Sequence, residues 1–458
     1  MKFRIITAIC SMLCCGFYLT AQPATGAELT ASLKEVTSGL VSPIELTTIG
    51  KEGEMLVADQ IGVIYRINKN GQREEKAFLD LRSKLCKLNQ GFDERGVLGL
   101  ALHPKFEENK RLFVVYSAPL RKDGPAEWDH TMTLSEFKAD DSGTAADIST
   151  EKVMLQIDKP YFNHNGGCLM FGPDEFLYLS VGDGGNANGT GKGHSEKGNS
   201  QDLTTLLGKI VRLDVRKSTG ISPELQKRYG IPSVSNPVEP GYYIPADNPF
   251  LNIEGARPEI YALGLRNVWK MSFDRDGTHG LLAADIGQDL YEEVNIIKKG
   301  GNYGWNLREG FHCFDPKNPK KSPETCAEKD EHGHSFVDPV FEYKSFRSFP
   351  KDPDALGISI TSGYMYRGKA IPELRGKYIF ADWSRHWVKP DGMIYVATPS
   401  DGKTPWKIEK LSLASHEKGL NLYVTAFGQD QDGELYVLTS GSNGLVGTKG
   451  IVFKLVSK

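Results

Sequence analysis

Residues 176–185 read FLYLSVGDGG and residues 208–215 read GKIVRLDV. Each is a short apolar run rich in β-branched and aromatic residues, bounded by glycine and aspartate. That composition predicts two strands joined by a polar loop, because such side chains suit a half-buried pleated surface and glycine supplies the turn. The same unit recurs along the chain. It appears at residues 55–67 (MLVADQIGVIYRI), at 111–116 with 133–137 (RLFVVY, TLSEF) and at 280–287 with 293–297 (GLLAADIG, EVNII). It returns at 377–384 with 392–396 (KYIFADWS, GMIYV) and at 433–440 with 450–455 (GELYVLTS, GIVFKL). Six strand pairs, each preceded by further strand-like residues, predict an all-β six-bladed propeller of four-stranded antiparallel blades. No blade can bury both faces alone, so the array must close as one domain, expected over residues 28–458. Long connections at residues 184–208 and 311–336 are expected at one rim, where a propeller keeps its chemistry.

The 458 residues are 39% hydrophobic and 25% charged, which is ordinary for a globular chain with a large core. A formal net charge of -3 offers no field for nucleic acid or an anionic membrane. The first 27 residues have the layout of a secretory signal: Lys2 and Arg4, an apolar stretch at 5–19, then small residues that allow cleavage after Ala21 or Ala27. The stretch is short for a membrane span, so a periplasmic or secreted location without an integral span is expected. Cys10, Cys14 and Cys15 leave with that segment. Cys313 and Cys326 are placed to close a short loop in an oxidising compartment, whereas Cys168 sits in an apolar strand pattern as a buried thiol.

Five stretches carry more specific information: residues 93–106 (DERGVLGLALHPKF), 163–185 (NHNGGCLMFGPDEFLYLSVGDGG), 263–269 (LGLRNVW), 285–305 (DIGQDLYEEVNIIKKGGNYGW) and 427–440 (FGQDQDGELYVLTS). In this order the chain resembles the glucose/sorbosone dehydrogenase family, whose six-bladed propeller uses pyrroloquinoline quinone (PQQ). The first and last stretches also resemble the propeller of hedgehog-interacting proteins.

Read alone, His164 is a polar loop residue, Arg266 a surface cation and Glu293 a solvated turn carboxylate. The resemblance implies more. It places His164 at the general base that takes the proton of a sugar's anomeric hydroxyl, a task suited to a neutral imidazole. It places Arg266 and Asn267 against the quinone, where a guanidinium stabilises charge growing on oxygen. It implies calcium held by the backbone carbonyls of Gly287 and Gln288, and by the Glu293 carboxylate with the Tyr303 carbonyl, all hard oxygen donors. Glu94 stands where the family's dehydrogenases often carry a glutamine that contacts PQQ.

Two departures concern the cations that a tricarboxylate cofactor needs. Ser384 stands where the family places a lysine, with Arg385 beside it. Residues 422–427 (LYVTAF) hold no cation where arginines are expected. Arg385, Lys389 and Arg367 are the nearby substitutes. The implied activity is PQQ-dependent oxidation of an aldose to its lactone, with calcium as a second cofactor and an external electron acceptor. The alternative is a calcium-binding propeller that docks a protein or carbohydrate without catalysis. A calcium-dependent lactone hydrolase would need several carboxylates and asparagines around one ion, and no such set can be assembled from the sequence.

Overall fold

The computed structural model describes residues 28–50, 53–216, 236–238, 241–402 and 405–458. The signal-like segment at residues 1–27 lies outside the described residues. Six sheets follow one another around a ring, and the recurring strand pair supplies the second and third strands of every one. In the third blade, for example, Leu177–Val181 pairs antiparallel with Lys209–Leu213 in an unbroken register, between the inner strand Gly166–Phe171 and the outer strand Ile260–Leu263.

The inner strands are Pro43–Ile49, Val97–Leu102, Gly166–Phe171, Val268–Phe273, Ile360–Met365 and Tyr423–Gln429. Each touches the next, and the last touches the first, so the ring is closed. Apolar side chains gather in six layers, one between each pair of neighbouring blades. Phe113 and Leu179, for instance, both lie in the layer between the second and third blades with no exposed surface. A fully buried side chain of this kind contributes about 1.5–3 kcal/mol, and only blade-to-blade contact provides the burial.

Closure uses an element that the repeat does not announce. The N-terminal strand Thr30–Leu40 pairs antiparallel with Gly450–Val456 and becomes the fourth strand of the sixth blade. Four blades are four-stranded as expected; the fourth and sixth each add a short parallel edge strand, Ala355–Gly357 and Ser412–Leu413. Cys313 and Cys326 form a disulfide, while Cys168 and Cys86 are buried free thiols.

Candidate functional site

Aspartates at the ends of the second strands organise the channel mouth. Asp59 accepts the amides of Val41 and Ser42 at 2.8 and 2.9 Å. Asp285 accepts those of Arg266 and Asn267 at 2.9 and 2.6 Å, and Asp382 those of Ile358 and Ser359 at 3.1 and 3.0 Å. In each case the carboxylate ties down the chain as it enters the inner strand of its own blade, satisfying two backbone donors.

The third blade has the same aspartate, Asp183, but directs it elsewhere. Its Oδ1 lies 2.8 Å from His164 Nδ1 and accepts the Gly185 amide at 3.1 Å, while Oδ2 accepts the Trp305 indole N–H at 2.8 Å. The His164 amide turns to Glu94 Oε2, at 2.7 Å. His164 adopts φ 53°, a left-handed conformation that costs a non-glycine residue energy and marks a constrained position. Gly182 is required beside it, because a Cβ there would fall onto the His164 carbonyl oxygen.

The other side of the ring belongs to Arg266. Its Nη2 lies 2.9 Å from His164 Nε2 and 2.9 Å from Gln288 Oε1, and Nη1 donates to the Ile286 carbonyl at 2.9 Å. The guanidinium sits 5.4 Å over the Trp305 ring. Burial holds the Asp183 carboxyl up, but His164 and Arg266 outweigh it and keep the group well below the usual carboxylate range. An ionised Asp183 only accepts and a guanidinium only donates. The partners therefore assign the proton to Nδ1 and leave the lone pair on Nε2. Burial lowers the imidazole's affinity for a second proton, Arg266 lowers it further, and Asp183 compensates only in part. The product is a neutral, oriented imidazole.

His164 and Arg266 form part of the wall of a cavity of about 490 Å³ at the channel mouth, to which every blade contributes. Ser42, Glu94, Asn267, Trp383 and Thr425 are among its other residues. That volume suits a small-molecule ligand. Asn267 Nδ2 donates to Glu94 Oε2 at 3.2 Å, and its Oδ1 accepts the Gly166 amide at 3.0 Å. Glu94 therefore anchors two site residues, whichever ligand its other oxygen meets.

The cation substitutes are not brought in. Arg385 lies in a neighbouring shallow depression and pairs with Asp391 at 2.7 Å, outside the cavity wall. Arg367 pairs with Asp274 at 2.6 Å, and Ser384 is buried with its hydroxyl on the Lys389 carbonyl. Sequence reading passed over Arg347, which does line the cavity; its closest carboxylate, Asp289, is 3.8 Å away. Part of the wall is aromatic, with Phe92 and Trp383 packed on Trp387 at 4.7 and 5.3 Å between ring centres.

Of the expected calcium ligands, Gly287 and Gln288 line the cavity beside Arg266, and Glu293 and Tyr303 are buried. Asp285, Glu293 and Glu342 stand in register across three adjacent strands. Burial raises both Asp285 and Glu293, and the Asp285 charge raises Glu293 further. Glu293 Oε1 accepts from Asn295 Nδ2 and Oε2 from the Gly310 amide, each at 2.7 Å. Asn295 Oδ1 and Glu309 Oε2 are buried acceptors without a partner among the described residues. Crowded buried carboxylates and orphaned acceptor oxygens fit a hard cation. Among the described residues no three His, Cys, Asp or Glu converge as a metal group, so a cation here would also draw on backbone carbonyls.

Asp183, Trp305 and Lys159 are site residues that the sequence reading did not single out. The one available signal was the aspartate of residues 181–183, VGD, which parallels VAD, AAD and FAD at the other strand ends.

A family model described as Glucose / Sorbosone dehydrogenase matches residues 40–224 and 238–447. The HIPL1 protein of Arabidopsis thaliana is 32% identical over 398 residues, covering 76% of this chain and 52% of its own length. The Hedgehog-interacting protein of Mus musculus is 25% identical over 430 residues, covering 93% and 52%. The chain thus spans about half the length of these two relatives. The aldose sugar dehydrogenase YliI of Escherichia coli strain K12 is 27% identical over 320 residues, covering 66% of this chain and 74% of its own length. The chain belongs to the glucose/sorbosone dehydrogenase family.

Proposed function

We propose that this propeller is a sugar dehydrogenase that oxidises an aldose to its lactone with PQQ and calcium. The observation that carries the reading is the His164 ring, kept neutral between Asp183 and Arg266 at the wall of a ligand-sized cavity. The quinone end of PQQ fits the Arg266 side, where the buried Nε has no partner among the described residues. Arg347, which lines the same cavity, would pair with its carboxylates. When bound, PQQ would supply the two-electron acceptor for the hydride of the anomeric carbon. Arg266 would turn an N–H toward the quinone oxygens and release His164 Nε2 to accept the sugar hydroxyl proton. Asp183 would then stabilise the imidazolium. The aromatic part of the wall would shield that transfer from bulk water. Gly287, Gln288, Glu293 and Tyr303 would hold calcium.

Export belongs to the same reading. The signal-like N-terminus and the Cys313–Cys326 disulfide both suit an oxidising periplasmic or extracellular space. No helix of the described residues is long and apolar enough to cross a membrane. Purified protein given PQQ and calcium should reduce an electron-accepting dye with at least one sugar of an aldose panel. No reduction with any sugar, together with no change in PQQ absorbance, would remove the reading.

A second reading is favoured by one feature. Phe92, Trp383 and Trp387 make part of the cavity wall aromatic, and Arg385 pairs with Asp391 outside that wall, which suits an uncharged ligand or a protein loop better than a tricarboxylate. Calcium binding without any PQQ-induced absorbance change would support this non-catalytic propeller.

A further inference from the structure

Lys159 ends the outer strand of the second blade and is completely buried. Among the described residues its ammonium faces no carboxylate at ion-pair distance. Instead Nζ donates to the His164 carbonyl at 3.0 Å and to the Gly182 carbonyl at 2.8 Å. The first oxygen belongs to the candidate base; the second sits at the end of the strand that carries Asp183. A buried ammonium is costly to desolvate, and its retention on two neutral carbonyls calls for a structural reason.

The surrounding contacts supply one. The His164 amide is held by Glu94 and its ring by Asp183 and Arg266, so its carbonyl is the remaining backbone group to be fixed. With φ at 53°, the peptide has no regular strand partner to hold it there. Behind the loop, a second chain runs inward from the exposed Asp129 to buried His130 and Asn165, at 2.9 Å from Asp129 to His130 and 2.8 Å from His130 to Asn165. Asn165 in turn donates to the Phe162 carbonyl at 2.8 Å. We propose that Lys159 is a positioning residue that locks the backbone of His164 to the strand end bearing Asp183, and so keeps the imidazole aimed at the cavity. The proposal rests on His164 being the proton acceptor.

The charged groups that bear on the pair are Asp183 and Glu94 for both residues, Arg266 for His164, and His130 beside Lys159. Burial lowers the Lys159 ammonium to about 7, and the charges of Asp183 and Glu94 offset that only in part. Lys209 provides an internal control. It is equally buried and donates to two carbonyls, those of Asn199 and Leu207, but it does not touch His164.

The test compares Lys159→Met, Lys159→Gln and Lys209→Met with the wild type in protein labelled with ¹⁵N-histidine. Circular dichroism and melting identify which variants fold, and His164→Asn assigns the His164 signal. In the wild type, the Nδ1 proton on Asp183 should give a low-field resonance with a defined titration. Lys159→Met should shift or broaden it, Lys159→Gln should do so less, and Lys209→Met should leave it in place. If Lys159→Met does not fold, Lys159→Gln carries the comparison. Where dye reduction is measurable, kcat should fall about 10- to 100-fold in Lys159→Met, with KM within about twofold, as expected for a misplaced base. An unchanged His164 resonance in the folded Lys159 variants, or an equal change in Lys209→Met, would overturn the proposal. Absence of dye reduction in the wild type would count against the oxidation alone, because the resonance is read without turnover.

Discussion

Asp183 Oδ1 stands 2.8 Å from His164 Nδ1, at the strand end where Asp59, Asp285 and Asp382 hold a pair of backbone amides. A scaffold device has thus been turned toward a side chain in one blade, and Glu94 has taken over the displaced His164 amide. The candidate site arises from the fold's own repeat by a change of partner at one position.

Asp183→Asn tests that relationship. An amide offers one acceptor and one donor, whereas His164 Nδ1 and Trp305 Nε1 both require an acceptor. One of them is left facing an N–H, which costs about 1–3 kcal/mol. Turnover should fall about 10²–10⁴-fold, the usual worth of a positioned base. Chemical denaturation and dye-coupled assays measure the two effects separately.

The acid limb of the rate profile should lie below the ordinary histidine range. Burial and Arg266 both depress the His164 pKa, so the free base persists to lower pH than in an exposed imidazole. The sign for stability follows from the same shift. The unfolded chain takes up this proton first, so the native state loses stability as pH falls through the unfolded value of about 6.5. Arg266→Gln removes the second of the two depressing influences and should move the limb upward. A kcat/KM profile from pH 4 to 8 would show it, and an unmoved limb would disprove the assignment.

Much of the architecture could be read from residues because a propeller repeats one local pattern. All six copies of the strand pair proved to be second and third strands, where the pattern of apolar residues is strongest. Closure by Thr30–Leu40 could not be read, since its register with Gly450–Val456 is set by a partner at the other end of the chain. The same limit governed the site. His164, Arg266, Asn267, Gly287 and Gln288 do meet at one mouth, but Arg385 turns to Asp391 and Lys159 reaches in from a different blade. Neighbours in sequence fix a strand end, not the direction of a long cationic side chain.

Glu94 should tolerate glutamine and reject alanine. Its Oε2 accepts from the His164 amide and from Asn267 Nδ2, and a glutamine carbonyl can accept both. Glu94→Gln should therefore retain stability within about 0.5 kcal/mol. Glu94→Ala leaves both of these donors without their acceptor and should cost about 1–3 kcal/mol for each, together with most of the turnover. Equal loss in the two variants would mean that the negative charge, rather than the acceptor, is what the site uses.

Calcium should stabilise the protein through Glu293. Asp285, Glu293 and Glu342 lie in one row, and burial holds Glu293 up as long as no cation shares the field. A divalent ion would remove that penalty and satisfy orphaned oxygens such as Asn295 Oδ1 and Glu309 Oε2. Calcium at 100 times its dissociation constant should stabilise the native state by about 2.7 kcal/mol, seen as a rise in Tm. Glu293→Gln keeps the size of the side chain but leaves either Asn295 Nδ2 or the Gly310 amide facing an N–H. It should cost about 1–3 kcal/mol without calcium and abolish most of the calcium-dependent rise. A calcium response of full size in Glu293→Gln would place the ion elsewhere, and the buried row would then need another explanation for its retention.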